Sequence, residues 1–304
     1  MAVPEPSADE QFYHLSDYER GFLKIETGIQ DEEALKDHVM AMAKAALEVC
    51  RVICLFAAVE DVQVYPYPCI RRLGFIRLKM TRNPEAYEHV LNLGKTVPGA
   101  ILIELGCCFG NDVRQIARAG LPVREHSCVG SPWRFASGTS AKSSTSTHRP
   151  RSKARSSPAT STTPTFSLLP MLAAPPTTPA PALKSLTSLN PLHGHVSAIH
   201  TGSFFHLFSE ETQLEIARKF AGILSPRAGS MVFGCHGSQP TKGFMRASGT
   251  NRIFCHSVES WTEMWEDVFG GKDKVEVKAW MTNSGKVLNP DTDFWMLYWS
   301  VKRL

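Results

Sequence analysis

Residues 101–112, with the sequence ILIELGCCFGND, contain the residue types that a cofactor site at a sheet edge requires. An apolar run ends at an acidic residue, Glu104, and a turn that contains Gly106 and Gly110 follows it. Glycines let the backbone of such a turn approach a ligand closely, and the helix after it offers free N–H groups. An acidic residue beside the turn suits a cationic or hydroxyl-bearing cofactor better than a pyrophosphate. The segment therefore predicts a nucleotide-like cofactor site of that kind.

Strands and helices are predicted to alternate around this segment. Residues 1–98 are predicted to form an N-terminal helical extension, and residues 99–304 a three-layer α/β domain. Its sheet is mostly parallel and ends in an antiparallel hairpin at residues 275–281 and 294–301. The other predicted elements are helices after the N-cap Asp31 and at residues 85–93, 111–119, 209–224 and 257–269, and strands at residues 101–103, 196–200 and 230–234.

Residues 132–181 interrupt this alternation. They are rich in Ser, Thr, Pro, Ala and Arg, have no hydrophobic period, and are predicted to be disordered. Because they replace the second and third strands of an alternating fold, those strands are predicted to be missing or disordered. The composition is typical of a GC-rich coding region translated in the wrong frame. When the reading frame is shifted by one base, the segment can encode an amphipathic helix and a strand followed by an acidic loop. A frame error and a true flexible linker are the two interpretations, and we favour the frame error.

Residues 49–63 form a second irregular segment. Val49-Cys50 can be encoded by GTATGT, a common 5′ splice-site sequence, and Gln63 by CAG, a common 3′ end. Removing this very short stretch as a fungal-type intron would join the helix that ends at Glu48 to Val64. The alternative is a genuine buried strand or helix, and we favour the retained intron.

Composition excludes several classes of protein. The chain has 304 residues, of which 43% are hydrophobic and 20% charged, as in globular proteins. Its net charge of +4 comes from residues 132–184, which contain seven Lys or Arg and no acid, whereas the rest has 26 basic and 29 acidic residues. No aromatic residues alternate with these basic ones as a stacking platform, so nucleic-acid binding is not expected. A polar N-terminus, short apolar runs and unpaired cysteines predict a cytoplasmic protein with no membrane span.

Four blocks of the sequence carry a family resemblance. They are VYPYPCIRR at residues 64–72, ELGCCFGNDVR at 104–114, LTSLNPLHGHVSAIHTGSFFHLF at 186–208 and SMVFGCHG at 230–237. In these blocks the chain resembles a fungal family of class I methyltransferases that depend on S-adenosylmethionine, several of which act on meroterpenoids and related secondary metabolites. The resemblance implies a Rossmann-like methyltransferase domain at residues 99–304, S-adenosylmethionine as cofactor, and O-methylation of a small-molecule acceptor.

The resemblance also implies roles for individual residues around the glycine turn. Gly106, Cys107 and Gly110 would line the turn, while Glu104 and Asp112 would favour the cationic end of the cofactor. The alternative is that Glu104 only caps its strand and the cysteines only pack. The full set of implied cofactor-binding residues is Glu104, Gly106, Cys107, Gly110, Asp112 and Ser131.

Histidines are the candidates for a general base, which an O-methyltransferase can use to deprotonate its acceptor. His200 is the first candidate, followed by His206 and then His236. For each, a packed or hydrogen-bonded structural histidine is the alternative. The four histidines within residues 193–206 have no Cys or acid at metal-ligand spacing, so no metal site is predicted.

Two departures from the family pattern concern activity. The family has GSDL after its second strand, whereas here Gly130-Ser131 is followed by Pro132, and the G-D-x-[FY]-D block after the third strand is absent. We therefore expect the chain to bind S-adenosylmethionine weakly or not at all, and an inactive methyltransferase fold is one alternative function. An NAD-dependent oxidoreductase is the other, although Cys108 stands where its G-x-G-x-x-G motif needs the middle glycine. The acceptor, the methylated atom and the oligomeric state do not follow from the sequence.

Overall fold

A computed structural model describes residues 8–56, 68–106, 108–119, 127–128, 167–183, 186, 188–248, 251–286 and 291–304. Within these residues the α-helices are α1 (Asp17–Thr27), α2 (Glu32–Phe56), α3 (Pro68–Arg71), α4 (Pro84–Thr96), α5 (Asn111–Arg118), α6 (Glu210–Ile223) and α7 (Val258–Phe269). The strands are β1 (Leu102–Leu105), β2 (Ser127–Cys128), β3 (Ala198–Gly202), β4 (Met231–Ser238), β5 (Gly243–Ser248), β6 (Asn251–Cys255), β7 (Val275–Asn283) and β8 (Trp295–Arg303). The predicted mixed α/β class is confirmed.

Six strands form the main sheet, in the order β2-β1-β3-β4-β8-β7. The first four run parallel, whereas β8 pairs antiparallel with both β4 and β7. The prediction of a mostly parallel sheet that ends in an antiparallel hairpin is confirmed. Because β1, β3 and β4 are parallel neighbours, the segments that follow their carboxyl ends meet at one edge of the sheet.

Three local predictions need correction. Strand β1 continues to Leu105, so Glu104 lies inside the strand rather than at its end. Helix α4 runs past Gly94 to Thr96, because a glycine inside a helix costs only about 1 kcal/mol. The N–H of the C-cap residue, Val97, bonds to the Leu93 carbonyl. A separate two-stranded sheet, β5 with β6, was not predicted.

The predicted N-cap Asp31 is confirmed, and two further helices begin with serine caps. The side chain of Asp31 accepts a hydrogen bond from the Ala34 N–H at 2.8 Å, at the start of α2. Ser209 caps α6, and Ser257 forms a capping box at the start of α7. Gly270, in the left-handed conformation with φ of 84°, ends α7. These short-range signals fix the helix ends independently of the sheet.

Two buried groups of side chains matter for the site. Apolar residues of α1, α2 and residues 70–78 pack together and place that segment beside the glycine turn. On the other side of the sheet, α7 and β8 supply most of an aromatic cluster, which we define as Phe205, His236, Trp261, Trp265 and Trp299.

The irregular segments are described only in part. Residues 167–183 contain no α-helix or strand, yet Leu169 packs against the main core. Residues 132–166 and 57–63 lie outside the described part of the chain, and β2 is described at Ser127–Cys128 alone. The proposed frame error, the retained intron and the missing strands therefore stay predictions. Among the described helices, none has the length and apolar character to cross a membrane.

Candidate functional site

Strand pairing brings an acid and a histidine together at the predicted edge of the sheet. Glu104 on β1 is the register partner of His200 on β3. The two side chains are 3% and 0% exposed, and His200 Nδ1 lies 3.3 Å from Glu104 Oε1. In the described part of the chain, the other atom of each group, Glu104 Oε2 and His200 Nε2, is buried without a hydrogen-bond partner. Buried polar atoms in native proteins are usually satisfied, so this pair is suited to contact a further polar group.

The glycine turn has the backbone conformation that the sequence predicts. Gly106 and Gly110 have φ of 75° and 72°, in the left-handed region that favours glycine. Cys108, between them, has a φ of 50°, which is uncommon for a residue with a side chain. A Cβ on Gly106 would meet the Phe204 ring at 3.5 Å, so that ring already lies against the turn.

The first turn of α5 holds the chain that precedes α4. Asp112 is buried, and its Oδ1 accepts a hydrogen bond from the Met80 N–H at 2.9 Å. The side chain of Asn111 donates to the Phe75 carbonyl at 2.8 Å. Asp112 thus lies beside the turn as predicted, but one of its oxygens already has a backbone partner.

Lys79 is the residue of this site that sequence reasoning missed. Its ammonium donates to Ser203 Oγ at 3.2 Å, at the carboxyl end of β3. It lines the same small cavity as Glu104, Gly106, Asp112 and residue 202. The one signal in the sequence was a lysine between two apolar residues, which more often belongs to a half-buried surface segment.

A buried acid, Glu19 of α1, fixes the backbone that carries Lys79. Glu19 is 2% exposed, and its carboxylate accepts hydrogen bonds from Arg77 at 3.3 Å and from Arg82 at 3.2 Å. It also accepts from the Leu78 N–H at 3.4 Å. Residues on both sides of Lys79 are therefore tied to other elements, which fixes the backbone from which its side chain extends.

Burial dominates the electrostatics of the site. It raises the pKa of Glu104 to about 8 and, together with the nearby Glu104, that of Asp112 to about 6. Burial also lowers the pKa of His200 to about 4, so this imidazole is neutral at pH 7. For Lys79, burial lowers the pKa, but the surrounding thiols and Asp112 outweigh it and raise the value above its ordinary one. The ammonium is thus positively charged at pH 7, and it shares the cavity lining with Arg77, which pairs with Glu19.

The three candidate histidines have different surroundings. His206 Nδ1 accepts a hydrogen bond from the Gly237 N–H at 3.0 Å, so the lone pair of the neutral ring is already used. His236 Nδ1 accepts from the Trp299 indole N–H at 3.0 Å inside the aromatic cluster, which makes it a structural histidine. If His200 donates its Nδ1–H to Glu104, its Nε2 lone pair stays free. Of the three, His200 has the arrangement that a general base needs.

Two of the predicted cofactor-binding residues, Cys107 and Ser131, lie outside the described residues. Of the two phenylalanines after β3, Phe205 is fully buried in the aromatic cluster, while Phe204 faces the glycine turn. No group of three or more His, Cys, Asp or Glu side chains in the described part of the chain is arranged to hold a metal ion.

The chemistry of the cavity suits the cofactor that the resemblance implies, but its size does not. Two acids of the cavity lining, Asp112 and Glu104 with its unpartnered Oε2, suit the cationic end of S-adenosylmethionine. The described residues, however, enclose only about 10 Å³ there, whereas ligand pockets measure roughly 300–1,000 Å³. Lys79 lines this space, and the Phe204 ring packs against Gly106, which also lines it.

Comparison with known proteins identifies distant relatives among fungal methyltransferases. The Asnovolin E/Chermesin D methyltransferase nvfJ of Aspergillus novofumigatus is 25% identical over 250 residues, which cover 80% of this chain and 79% of that protein. The O-methyltransferase atr3 of Stereocaulon alpinum is 27% identical over 279 residues, which cover 88% and 68%. The O-methyltransferase phiE of a fungal species is 25% identical over 209 residues, and the matched region spans 61% of its length.

No protein-family model matches the chain. The same methyltransferase name nevertheless recurs among relatives from several fungi, each aligned over two thirds or more of this chain. The mostly parallel sheet and the glycine turn after β1 agree with that similarity. The chain is therefore a distant homologue of fungal methyltransferase enzymes.

Proposed function

We propose that this protein is an S-adenosylmethionine-dependent methyltransferase that methylates an oxygen of a small organic acceptor. The observation that supports this most directly is the buried Glu104 carboxyl, with one unpartnered oxygen, directly before the glycine turn. This arrangement lies at the sheet edge where open α/β folds bind ligands. The distant methyltransferase relatives supply the reaction class, and Glu104 and Asp112 in the cavity lining are the acids that would face a positively charged cofactor.

The proposed roles of the residues follow from their positions. Gly106 and Gly110 would let the cofactor approach the backbone, and Asp112 would attract its positive charge. Glu104, which burial keeps largely protonated at pH 7, would ionise beside the cofactor, because an opposite charge favours the ionised form. When bound, the cofactor supplies a methyl group that its positively charged sulfur has already activated. The protein then contributes mainly proximity and alignment, and Phe204, which already packs against the turn, would help to exclude water.

His200 is the proposed general base for the acceptor hydroxyl. Glu104 orients its ring through Nδ1, and its Nε2 is buried with no partner among the described residues. Burial lowers the pKa of the ring to about 4, so the ring is neutral at pH 7 but only a weak base. It would take the proton as the forming bond to the methyl carbon acidifies the acceptor hydroxyl. The imidazolium that forms would favour the ionised form of Glu104, which would then stabilise it as an ionised acid does for a catalytic histidine.

The experiment is a methyl-transfer assay with radiolabelled S-adenosylmethionine and a panel of hydroxyl-bearing aromatic acceptors. Label in an extracted product, lost in Glu104→Gln and in His200→Leu, supports the proposal. A Glu215→Gln variant, altered on the exposed face of α6, is the matched control and should keep the activity. NADH is added in a parallel reaction, and its acceptor-dependent oxidation would support the oxidoreductase alternative instead.

An inactive methyltransferase fold is the second candidate. It is favoured by the small volume around the turn and by Pro132 at the position where the family has an acid. Calorimetric titration of the wild-type protein with S-adenosylmethionine tests it. We expect weak binding, and a dissociation constant in the micromolar range contradicts this expectation.

The two irregular segments bear on the same question. We propose that residues 132–181 reflect a frame error and residues 49–63 a retained intron. Sequencing the transcript across codons 45–70 and 125–185 tests both. A continuous reading frame that encodes the present protein contradicts both proposals.

A further inference from the structure

We propose that Lys79 is an internal cation that occupies the cationic part of the cofactor site and must leave it before S-adenosylmethionine binds. This inference rests on the function proposed above. It makes Lys79 a residue that sets cofactor affinity, although it belongs to none of the motifs that carry the family resemblance.

The position of the side chain is the first observation. Lys79 lies beside the bare backbone of Gly202, where a Cβ would come within 2.7 Å of Lys79 Cδ and 3.5 Å of its Nζ. The ammonium reaches Ser203 Oγ at 3.2 Å. The aliphatic stem of the lysine thus crosses the carboxyl end of β3 and takes up space directly beside the Glu104–His200 pair.

The second observation is a strained residue at the far end of this contact. Ser203, which accepts the hydrogen bond from Lys79, has a φ of 58°, in the left-handed region. Its N–H donates to the Cys235 carbonyl at 2.7 Å, which fixes this backbone to β4. Non-glycine residues hold this conformation when the surroundings fix it, and such residues are concentrated at ligand sites.

Charge balance is the third observation. Two acids, Glu104 and Asp112, and two bases, Lys79 and Arg77, line the cavity. The Arg77 guanidinium pairs with Glu19 at 3.3 Å, whereas the Lys79 ammonium donates to the neutral Ser203 hydroxyl. The positive charge of Lys79 acts against the burial that raises the pKa of both acids. A second cation added beside it would place two like charges in one low-dielectric space, which is unfavourable. If the Lys79 ammonium leaves as a positively charged ligand enters, the net charge of the cavity stays the same.

The backbone permits this exchange. Leu78 and Met80, the neighbours of Lys79, are held by Glu19 and Asp112 through their N–H groups. A lysine side chain has four flexible carbons and carries its charge at the end, so it can swing out without moving the backbone. Asp112 keeps its hydrogen bond to Met80 in either position of the lysine.

The test compares Lys79→Met with wild type by calorimetric titration with S-adenosylmethionine and with S-adenosylhomocysteine. Loss of the competing charge and its terminal group should tighten binding of S-adenosylmethionine by about tenfold or more. S-adenosylhomocysteine, whose sulfur is neutral, should gain less. Lys79→Arg, which keeps the charge, should bind as weakly as wild type. Lys36→Met, which removes a lysine paired with Glu10 at a distance from the site, should also bind like wild type.

The outcomes separate this inference from the proposed function. Measurable binding that Lys79→Met leaves unchanged or weakens overturns the inference and keeps the function. If Lys79→Met gains equal affinity for S-adenosylmethionine and S-adenosylhomocysteine, the charge of Lys79 is not what opposes cofactor binding, and the inference is overturned. Absence of binding in every variant overturns the proposed function, and the inference with it. Thermal unfolding of each variant identifies a folding defect, and Lys79→Gln replaces Lys79→Met if the latter does not fold.

Discussion

The aromatic cluster and the acidic cavity are both buried, but they are built from opposite kinds of contact. In the aromatic cluster, rings such as Trp261 and Trp299 pack at a centroid distance of 4.9 Å, in an edge-on arrangement. In the cavity, Glu104, Asp112 and Lys79 are charged or titratable, and Glu104 Oε2 has no partner among the described residues. The first arrangement maximises buried apolar area, whereas the second leaves polar groups ready for a ligand. Substitutions should therefore reduce stability in one region and alter binding and pH dependence in the other.

The largest effect is expected from Trp299→Ala. Trp299 is fully buried and contacts Phe205, Trp261 and Trp265, so its loss should lower the free energy of unfolding by about 3–5 kcal/mol. Urea titration measures this. Trp280→Ala is the matched control, because Trp280 is 38% exposed on β7 and should cost far less. Equal losses for both tryptophans would remove the distinction between core and surface.

Glu104→Gln should change how stability depends on pH. Because the folded-state pKa of Glu104, about 8, lies above its ordinary value of 4.5, the folded protein binds the proton more tightly than the unfolded chain. This contribution to stability is fully present below pH 4.5 and is lost as the pH rises through about 8, at up to about 1.4 kcal/mol per pH unit. The variant should lose this slope and be more stable than wild type above pH 8.

Urea titrations at a series of pH values measure the slope. Glu276→Gln is the control of opposite sign, since the hydrogen bond from Lys302 lowers the pKa of Glu276. The contribution of Glu276 to stability is present at pH values above its ordinary pKa of 4.5 and is lost as the pH falls through its lowered pKa. A wild-type slope retained in Glu104→Gln would show that Glu104 is not a buried acid.

His236→Leu distinguishes the structural histidine from His200. The substitution leaves the indole N–H of Trp299 without its acceptor, which should cost about 1–3 kcal/mol. His236→Gln, which supplies an acceptor, should recover part of that loss. Neither variant should alter cofactor affinity, because His236 faces the aromatic cluster. A weakened affinity without a stability loss would place His236 in the site instead.

The smallest effect is expected from Ser257→Ala. Ser257 caps α7, which carries Trp261 and Trp265, and its loss should lower stability by about 1 kcal/mol. Ser257→Asp keeps an acceptor and should retain most of the stability. Thermal unfolding measures both. A loss as large as that of Trp299→Ala would mean that the cap, rather than ring packing, holds the helix in place.

Much of the fold could be predicted because its signals are short-range. Ser209 and Ser257 cap helices through atoms three residues away, and Gly106 and Gly110 take the backbone conformation that their own lack of a side chain permits. The C-terminal hairpin, whose two strands are neighbours along the chain, was predicted as well. The β5–β6 hairpin was missed because its pattern is short, and part of its outer surface, such as Phe244, is exposed.

The sequence alone determined the mixed α/β class, most helix starts and the glycine turn, since each depends on the local preferences of neighbouring residues. Tertiary structure decided which side chains share the site. Strand register paired Glu104 with His200, 96 positions apart, and the Glu19 ion pairs placed Lys79 beside Ser203, 124 positions away. Such contacts depend on how strands align and on which buried charges find partners. No local pattern in a single sequence encodes either of these, so the lysine in the acidic cavity became visible only in the folded chain.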